Sequence, residues 1–204
     1  MTPNTPILEG FFVIEGIDAS GTTTQLQRIR RRCLHANHPC WTTSEPTPGP
    51  VGTLIRSVLA GDVRISPLSL ALLFAADRNE HVNGPGGILE HLSRGELVVS
   101  DRYLFSSLAY QTLDCDFDTV LHLNGEFPLP EKLFYVDVPV DVAARRLAVR
   151  HQRDLFDEQR IQHRVAEHYE RVLTHFADTG MDILRIDGTL EAAAVTAAIW
   201  NRLV

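Results

Sequence analysis

The chain has 204 residues, 44% of them hydrophobic and 22% charged, with a formal net charge of −7. That length suits one α/β domain, and the composition fits a full-sized core. The acidic balance argues against a general binder of nucleic acid or of anionic membranes. Lys132 is the only lysine, so nearly every fixed positive charge is an arginine. An anionic ligand must then be held by local arginine clusters and backbone N–H groups, and the planar guanidinium suits phosphate well.

Residues 7–14 carry the apolar run Phe11-Phe12-Val13-Ile14 and end near Gly16, which predicts a short buried strand. Residues 23–34 set Leu26, Ile29, Cys33 and Leu34 between arginines, a helix with one buried stripe, broken at Asn37-His38-Pro39. Cys40-Trp41-Thr42-Thr43 reads as a second strand. Glu45-Pro46-Thr47-Pro48-Gly49-Pro50 reads as a stiff loop, since proline suits neither a helix interior nor a central strand. A short helix over 52–59 stops at Gly61. Ser66-Pro67 then supplies an N-cap and a first-turn proline for a helix running from 68 towards 82.

Past Asn83-Gly84-Pro85-Gly86-Gly87 comes a helix over 88–94, then the strand Leu97-Val98-Val99-Ser100 with Asp101 at its end. The remaining expectations are a helix over 104–113, a strand over 133–138, a basic helix over 140–150, a charged helix over 157–176, a strand over 183–186 and an Ala-rich helix over 190–203. Alternating strands and helices predict an α/β fold: a five-stranded parallel sheet flanked by helices, as one domain over 1–204. Cys33, Cys40 and Cys115 form no disulfide framework and read as reduced thiols. Residues 1–6 show no signal peptide, and no apolar run is long enough to span a bilayer, so a cytoplasmic location is expected. Cys33, His35, His38 and Cys40 are zinc-capable, but their spacing is no familiar finger and the cysteines are expected to be packing residues. His163 and His168 are expected at the surface.

The first strand runs into Gly16-Ile17-Asp18-Ala19-Ser20-Gly21-Thr22-Thr23 and then a helix. Strand, Gly-x-x-x-x-Gly turn and helix form the context of a phosphate-binding loop. The glycines let backbone N–H groups turn inward, and the helix N-terminus adds positive partial charge. Thr23 stands at the position whose hydroxyl meets Mg²⁺. Thr22 stands where such loops carry lysine, so the loop lacks its usual charge.

Further along, Phe74 and Arg78 lie four apart on one helix face, an aromatic plane and a guanidinium suited to stacking on a base and bonding its edge. Asp101-Arg102-Tyr103 follows a buried strand, and ligands of open α/β sheets lie beyond such strand ends. Ser107, Tyr110 and Gln111 are spaced to share the next helix's face. Residues 145–153 hold Arg145, Arg146, Arg150 and Arg153, followed by acidic residues, a pattern suited to a basic lid over phosphates at about 145–157.

These segments together resemble the thymidylate kinase family of P-loop nucleoside-monophosphate kinases. The resemblance rests on Glu15-Gly16-Ile17-Asp18, Glu45-Pro46-Thr47, Gly52 with Ile55-Arg56, Leu72-Leu73-Phe74-Ala75-Ala76-Asp77-Arg78, Asp101-Arg102-Tyr103, Ser106-Ser107-Leu108-Ala109-Tyr110-Gln111, and Arg164-Val165 with Tyr169. The Glu-Pro-Thr form is closer to archaeal and some bacterial members. The resemblance implies a three-layer α/β/α P-loop NTPase fold and a homodimer. It also implies phosphorylation of dTMP to dTDP with ATP and Mg²⁺. ATP is expected on Gly16, Ile17, Asp18, Ala19, Ser20, Gly21, Thr22, Thr23 and Thr24, and the metal at Thr23 and Asp101. The resemblance puts dTMP against Asp18, Arg56, Phe74, Arg78, Arg102, Ser107, Tyr110 and Gln111. In that frame Phe74 stacks on thymine, Arg78 reads its carbonyl edge, Arg102 grips the monophosphate and Asp101 organises Mg²⁺ and Arg102.

Two departures from the family pattern stand out. Ser44 replaces an arginine many members carry, and Ala19 and Thr22 remove the loop's arginine and lysine. Arg150 and Arg153, with Arg146 behind them, are the expected compensators, alongside Asp18 and Arg102 in catalysis. The alternatives are a nucleotide-binding pseudokinase or regulatory protein, and a kinase for another deoxynucleoside monophosphate such as dUMP.

Overall fold

The computed structural model describes residues 5–151 and 155–203, with side chains at these positions except 148–151 and 155–158. Its centre is a parallel five-stranded sheet in the order β2-β3-β1-β4-β5. The strands are β1 (Ile7–Glu15), β2 (Cys40–Ser44), β3 (Leu97–Asp101), β4 (Leu129–Asp137) and β5 (Asp182–Asp187). The helices are α1 (Thr22–His35), α2 (Pro50–Ala60), α3 (Pro67–Asn83), α4 (Ile88–Ser93), α5 (Leu104–Tyr110), α6 (Phe117–Asn124), α7 (Val140–His151), α8 (Leu155–Phe176) and α9 (Ala192–Leu203). They flank the sheet in the three-layer arrangement of P-loop proteins. α1 packs with α9, and α8 packs with both α5 and α7.

β1 is central because its apolar run has no polar face to show to water. Phe11, Phe12, Val13 and Ile14 are all buried, and a strand covered on both sides by helices reads as a continuous apolar run. β2, at one edge, is only half-buried along its length. From β1 the chain moves outward to β2 and returns to β3 beside β1. It then crosses to β4 on the other side of β1. The direction of winding reverses between β1 and β3, so the crevice at their carboxyl ends is where a ligand fits. Asp101 and Arg102 end β3 there, and Glu15 and Gly16 end β1. Two backbone bonds lock the junction: Arg102 N–H to the Ile14 carbonyl at 2.9 Å, and Glu45 N–H to the Asp101 carbonyl at 3.1 Å.

The elements follow the expected alternation, with local differences; α2 starts at Pro50 and α8 at Leu155, each two residues early. The helix expected over 104–113 ends at Tyr110 and tightens into a 3-10 turn, Gln111–Leu113. α6 was not expected. It is eight residues long, and the Asp116 carboxylate caps it by accepting from Thr119 N–H at 3.0 Å. β4 begins at Leu129 rather than 133, pairing with Ile7 across an irregularity where Gly10 takes φ 76°. α9 begins at Ala192 rather than 190, because Asp187 first accepts from the backbone and hydroxyl of Thr189.

Cys33 is buried, Cys40 and Cys115 are half-buried, and all three are free thiols. Cys40 is thus more accessible than a packing residue was expected to be. Among the described residues no group of His, Cys, Asp and Glu is arranged to hold a metal ion by itself, and no helix is long and apolar enough to cross a membrane. His163 is exposed, whereas His168 is half-buried, its Nδ1 within 2.9 Å of the Thr112 hydroxyl and 3.1 Å of the Ala109 carbonyl.

Candidate active site

The phosphate loop is built from β1 by close approach. A Cβ at Gly16 would lie 2.5 Å from Ser20 Oγ and 2.9 Å from the Val136 carbonyl, so no side chain fits there. The loop closes with Ser20 N–H donating to the Ile17 carbonyl at 3.1 Å, and Ile17 is anchored in the core. Ala19 takes φ 61° and Gly21 φ 108°. Glycine adopts this conformation freely, while alanine does so at a cost of about 1 kcal/mol. Strain of this kind concentrates at functional loops. α1 starts at Thr22 with no acidic residue in its own first turn, which leaves the positive end of the helix facing the loop. Thr22 is buried, and Thr23 and Thr24 face solvent on the same turn. Arg146, from α7, ties the loop from outside: its guanidinium donates to the carbonyls of Ala19 at 3.2 Å, Ser20 at 3.4 Å and Gly188 at 3.3 Å. Arg146, Gly188, Thr189 and the loop line a cavity of about 310 Å³ beside α1 and α9.

Where the loop meets β3, the Thr23 hydroxyl donates to Asp101 Oδ2 at 2.6 Å. The other carboxylate oxygen, Oδ1, is buried and has no hydrogen-bond partner among the described residues. An unsatisfied buried carboxylate oxygen is costly. Beside a threonine hydroxyl, it suits a hard divalent cation that prefers oxygen ligands.

Arg102 sits next to it in an unusual backbone conformation, φ 72°. Its carboxylate partner is Asp18 rather than Asp101: Nη2 lies 2.6 Å from Asp18 Oδ1. Nη1 reaches the Ser106 hydroxyl at 3.0 Å and the Tyr169 hydroxyl at 3.4 Å, and the guanidinium stacks over the Tyr110 ring at 5.1 Å. Burial alone would lower its pKa, but Tyr110, Tyr169, Asp18 and Glu15 around it outweigh that and raise it well above the ordinary arginine value. Behind Arg102 lies Glu15, fully buried. It accepts from Tyr103 N–H at 2.9 Å, Ser106 N–H at 3.1 Å, the Ser106 hydroxyl at 2.6 Å and the Tyr169 hydroxyl at 2.8 Å. Burial raises the Glu15 pKa, and the Arg102 charge and these bonds pull against it.

Asp18, Thr23, Asp101 and Arg102 border a second cavity of about 470 Å³, which extends between α2, α3 and α5. Arg56, Phe74, Arg78, Tyr110 and Gln111 line it, together with Ser44, Pro46 and Ser106. Arg56 is exposed at its rim and donates to the Pro46 carbonyl at 3.0 Å. Phe74 is half-buried on the same α3 face as Arg78. Arg78 is 1% exposed yet borders the cavity, because its charge is satisfied from behind. It donates to Glu45 Oε2 at 2.6 and 3.0 Å, to the Ser107 hydroxyl at 3.0 Å and, in a short bond, to the Asn124 side-chain carbonyl. Ser107 therefore supports Arg78, and Ser106 is the serine that faces the cavity. Glu45 is also held by His81 at 2.9 Å, and α3 is fixed to the proline loop by Asp77, which accepts from Thr47 N–H at 2.7 Å and its hydroxyl at 2.6 Å.

The structure thus brings Asp18, Arg56, Phe74, Arg78, Arg102, Tyr110 and Gln111 to one cavity and places the loop with Thr23 and Asp101 at its end. The side chains of Arg150 and Arg153 lie outside the described residues. Sequence reasoning gave no role to Glu15, Glu45, Asn124, Gln162 or Tyr169. The one local signal was an acid, Glu15, closing the buried apolar run Phe11-Phe12-Val13-Ile14.

The thymidylate kinase family profile matches residues 14–199 of the chain. A putative thymidylate kinase of Treponema pallidum (strain Nichols) is 41% identical over 200 residues, covering 97% of this chain and 96% of that protein. A putative thymidylate kinase of Aeropyrum pernix is 38% identical over 176 residues, 86% of this chain and 84% of that one. A probable thymidylate kinase of Methanococcus aeolicus is 36% identical over 164 residues, 80% and 79% of the two chains. With the loop, the Asp101-Arg102 strand end and the cavity arranged as above, the chain belongs to the thymidylate kinase family.

Proposed function

We propose that this chain phosphorylates dTMP to dTDP, with ATP as donor and Mg²⁺ as the cation, a step towards dTTP. The observation that carries this reading is the 470 Å³ cavity that opens directly onto Thr23, Asp101 and Arg102 at the phosphate loop. Phe74 offers a base a flat apolar face, Arg78 offers donors to a carbonyl edge, and Arg102 and Arg56 offer charge to a phosphate. ATP is assigned to the loop from Gly16 to Thr24, with its base in the cavity beside Arg146 and Gly188. Thr23 and the free Oδ1 of Asp101 would hold Mg²⁺, which supplies positive charge to the transferring phosphates when bound.

The chemistry asked of the protein is positioning and charge stabilisation. The acceptor phosphate oxygen is already anionic, so no strong base is needed. Asp18 and Arg102 orient the acceptor, and the arginine-rich stretch at about 145–157, with Arg150 and Arg153, supplies the charge that Thr22 does not. What supports a homodimer is the set of exposed apolar residues on α2, α3 and their connection: Leu54, Val63, Ile65, Leu68 and Leu72.

The test is a coupled assay of the purified protein with ATP, Mg²⁺ and a panel of monophosphates. Turnover with preference for dTMP is expected. No turnover on any of them, with nucleotide binding intact, would support the pseudokinase alternative, and preference for dUMP would move the substrate assignment.

A further inference from the structure

Gln162, on α8, is 1% exposed, stands outside both cavities and is 144 positions from the residue it touches. Its side-chain carbonyl accepts from the Asp18 backbone N–H at 3.2 Å, and its side-chain N–H donates to Asp18 Oδ2 at 3.1 Å. Both bonds need an amide. The loop N–H requires an acceptor and the carboxylate requires a donor, so the orientation of the amide is fixed by its partners. A carboxylate at 162 could serve only the first bond, and a cation only the second.

Asp18 is thereby held at both oxygens, Oδ1 by Arg102 at 2.6 Å and Oδ2 by Gln162. The two grips differ in kind. Arg102 borders the acceptor cavity and is the cation an incoming phosphate will draw on; Gln162 lies behind Asp18 and meets no ligand. Two helical turns along α8 from Gln162, on the same face, Tyr169 touches the far side of the pair: its hydroxyl is 3.4 Å from Arg102 Nη1. One helix therefore supports both members of the Asp18–Arg102 pair from outside the cavity.

We propose that Gln162 is the positioning residue for Asp18. It is a neutral clamp that keeps the loop backbone and the carboxylate in one geometry, so that Arg102 can engage the acceptor phosphate without Asp18 shifting. The inference rests on the reading of the large cavity as a nucleoside-monophosphate site. Neutrality is the essential property, since a second cation at 162 would compete with Arg102 for Asp18 and a carboxylate would repel it.

The test compares wild type with Gln162→Met, which keeps the length and loses both bonds, and Gln162→Glu, which keeps the shape and reverses the donor. With saturating ATP, Gln162→Met is expected to lower kcat/KM for dTMP at least fivefold, and Gln162→Glu at least fivefold further. If the residue only fills space, the two variants keep wild-type kinetics, and that result overturns the proposal. The second arm is a double-mutant cycle with Asp18→Ala, which removes the acceptor oxygen, read by urea denaturation. The stability loss from Gln162→Met is expected to be markedly smaller in the Asp18→Ala background, because the acceptor oxygen that Gln162 holds is gone. Additive losses would overturn the proposal. The denaturation cycle needs no substrate, so it stands even if wild type proves inactive on dTMP, an outcome that would instead remove the functional reading.

Discussion

The two halves of the site are built on opposite principles. On the acceptor side, charged groups are bound to one another before any ligand arrives: Arg78 with Glu45 in a buried pair, Arg102 with Asp18 in a half-buried one, and Glu15 buried beneath them. On the donor side, the phosphate loop offers backbone groups and hydroxyls. Its usual lysine is a buried threonine, and the arginine touching it, Arg146, binds loop carbonyls rather than facing the turn. The difference teaches where this chain keeps rigidity. A base and a sugar phosphate must be read in shape and charge, which favours a preformed, desolvated network. A polyphosphate chain with its metal can be held by an N-terminal helix dipole, with charge supplied from a neighbouring element.

The largest effect expected from breaking this contrast is at Arg102. Arg102→Met should cut kcat/KM for dTMP by about 10³ in the coupled assay, as expected for loss of a positioned charge at a transition state. A loss under tenfold would mean that the acceptor phosphate is held elsewhere. Next comes Arg78. Arg78→Met leaves Glu45 buried and without its cation, and breaking one partner of a buried pair costs about 3 kcal/mol. A loss of unfolding free energy of that size, measured by urea denaturation, is expected, together with a raised KM for dTMP; an unchanged midpoint would show that the pair is not part of the fold's support.

On the donor side, Arg150→Ala or Arg153→Ala should each lower kcat at least tenfold, about 1.4 kcal/mol of barrier, with KM for dTMP nearly constant. Wild-type rates in both would end the idea that these arginines replace the missing lysine. The smallest effect concerns pH. The Glu15 pKa is raised above its ordinary 4.5, so the folded state holds that proton more tightly than the unfolded chain does. Its contribution to stability is full below about pH 4.5 and is lost as pH rises through the folded value. Stability measured against Glu15→Gln should therefore show wild type losing ground as pH increases over that interval. A difference that is flat or grows with pH would contradict the burial argument.

Most of the fold was legible because the signals are local. Apolar runs ended by glycine, and stripes interrupted by arginine, mark β1 and α1 without any tertiary knowledge. α6 escaped because eight residues give too short a pattern, and the start of β4 is masked by Pro128 and Pro130. In the site, the glycine spacing and the Asp101-Arg102 strand end were visible as motifs, as was the Phe74–Arg78 face. What was not visible is pairing. Asp18 was expected among the nucleotide-binding and catalytic residues and Asp101 as the organiser of Arg102, whereas the guanidinium, with φ 72° at its backbone, turns to Asp18. Glu45 and Asn124 meet Arg78 from 33 and 46 positions away, and Gln162 meets Asp18 from 144. Such contacts are made by the crossover topology and leave no periodic trace in the chain.

The central claim is that this loop supports phosphoryl transfer to thymidylate without a lysine. It is tested most directly by the turnover number of the unmodified protein at saturating ATP, Mg²⁺ and dTMP. The account predicts a kcat of about 1 s⁻¹ or more, within the range usual for kinases. A rate two to three orders of magnitude lower, with both nucleotides demonstrably bound, is about what losing one positioned charge costs, and it would contradict the claim.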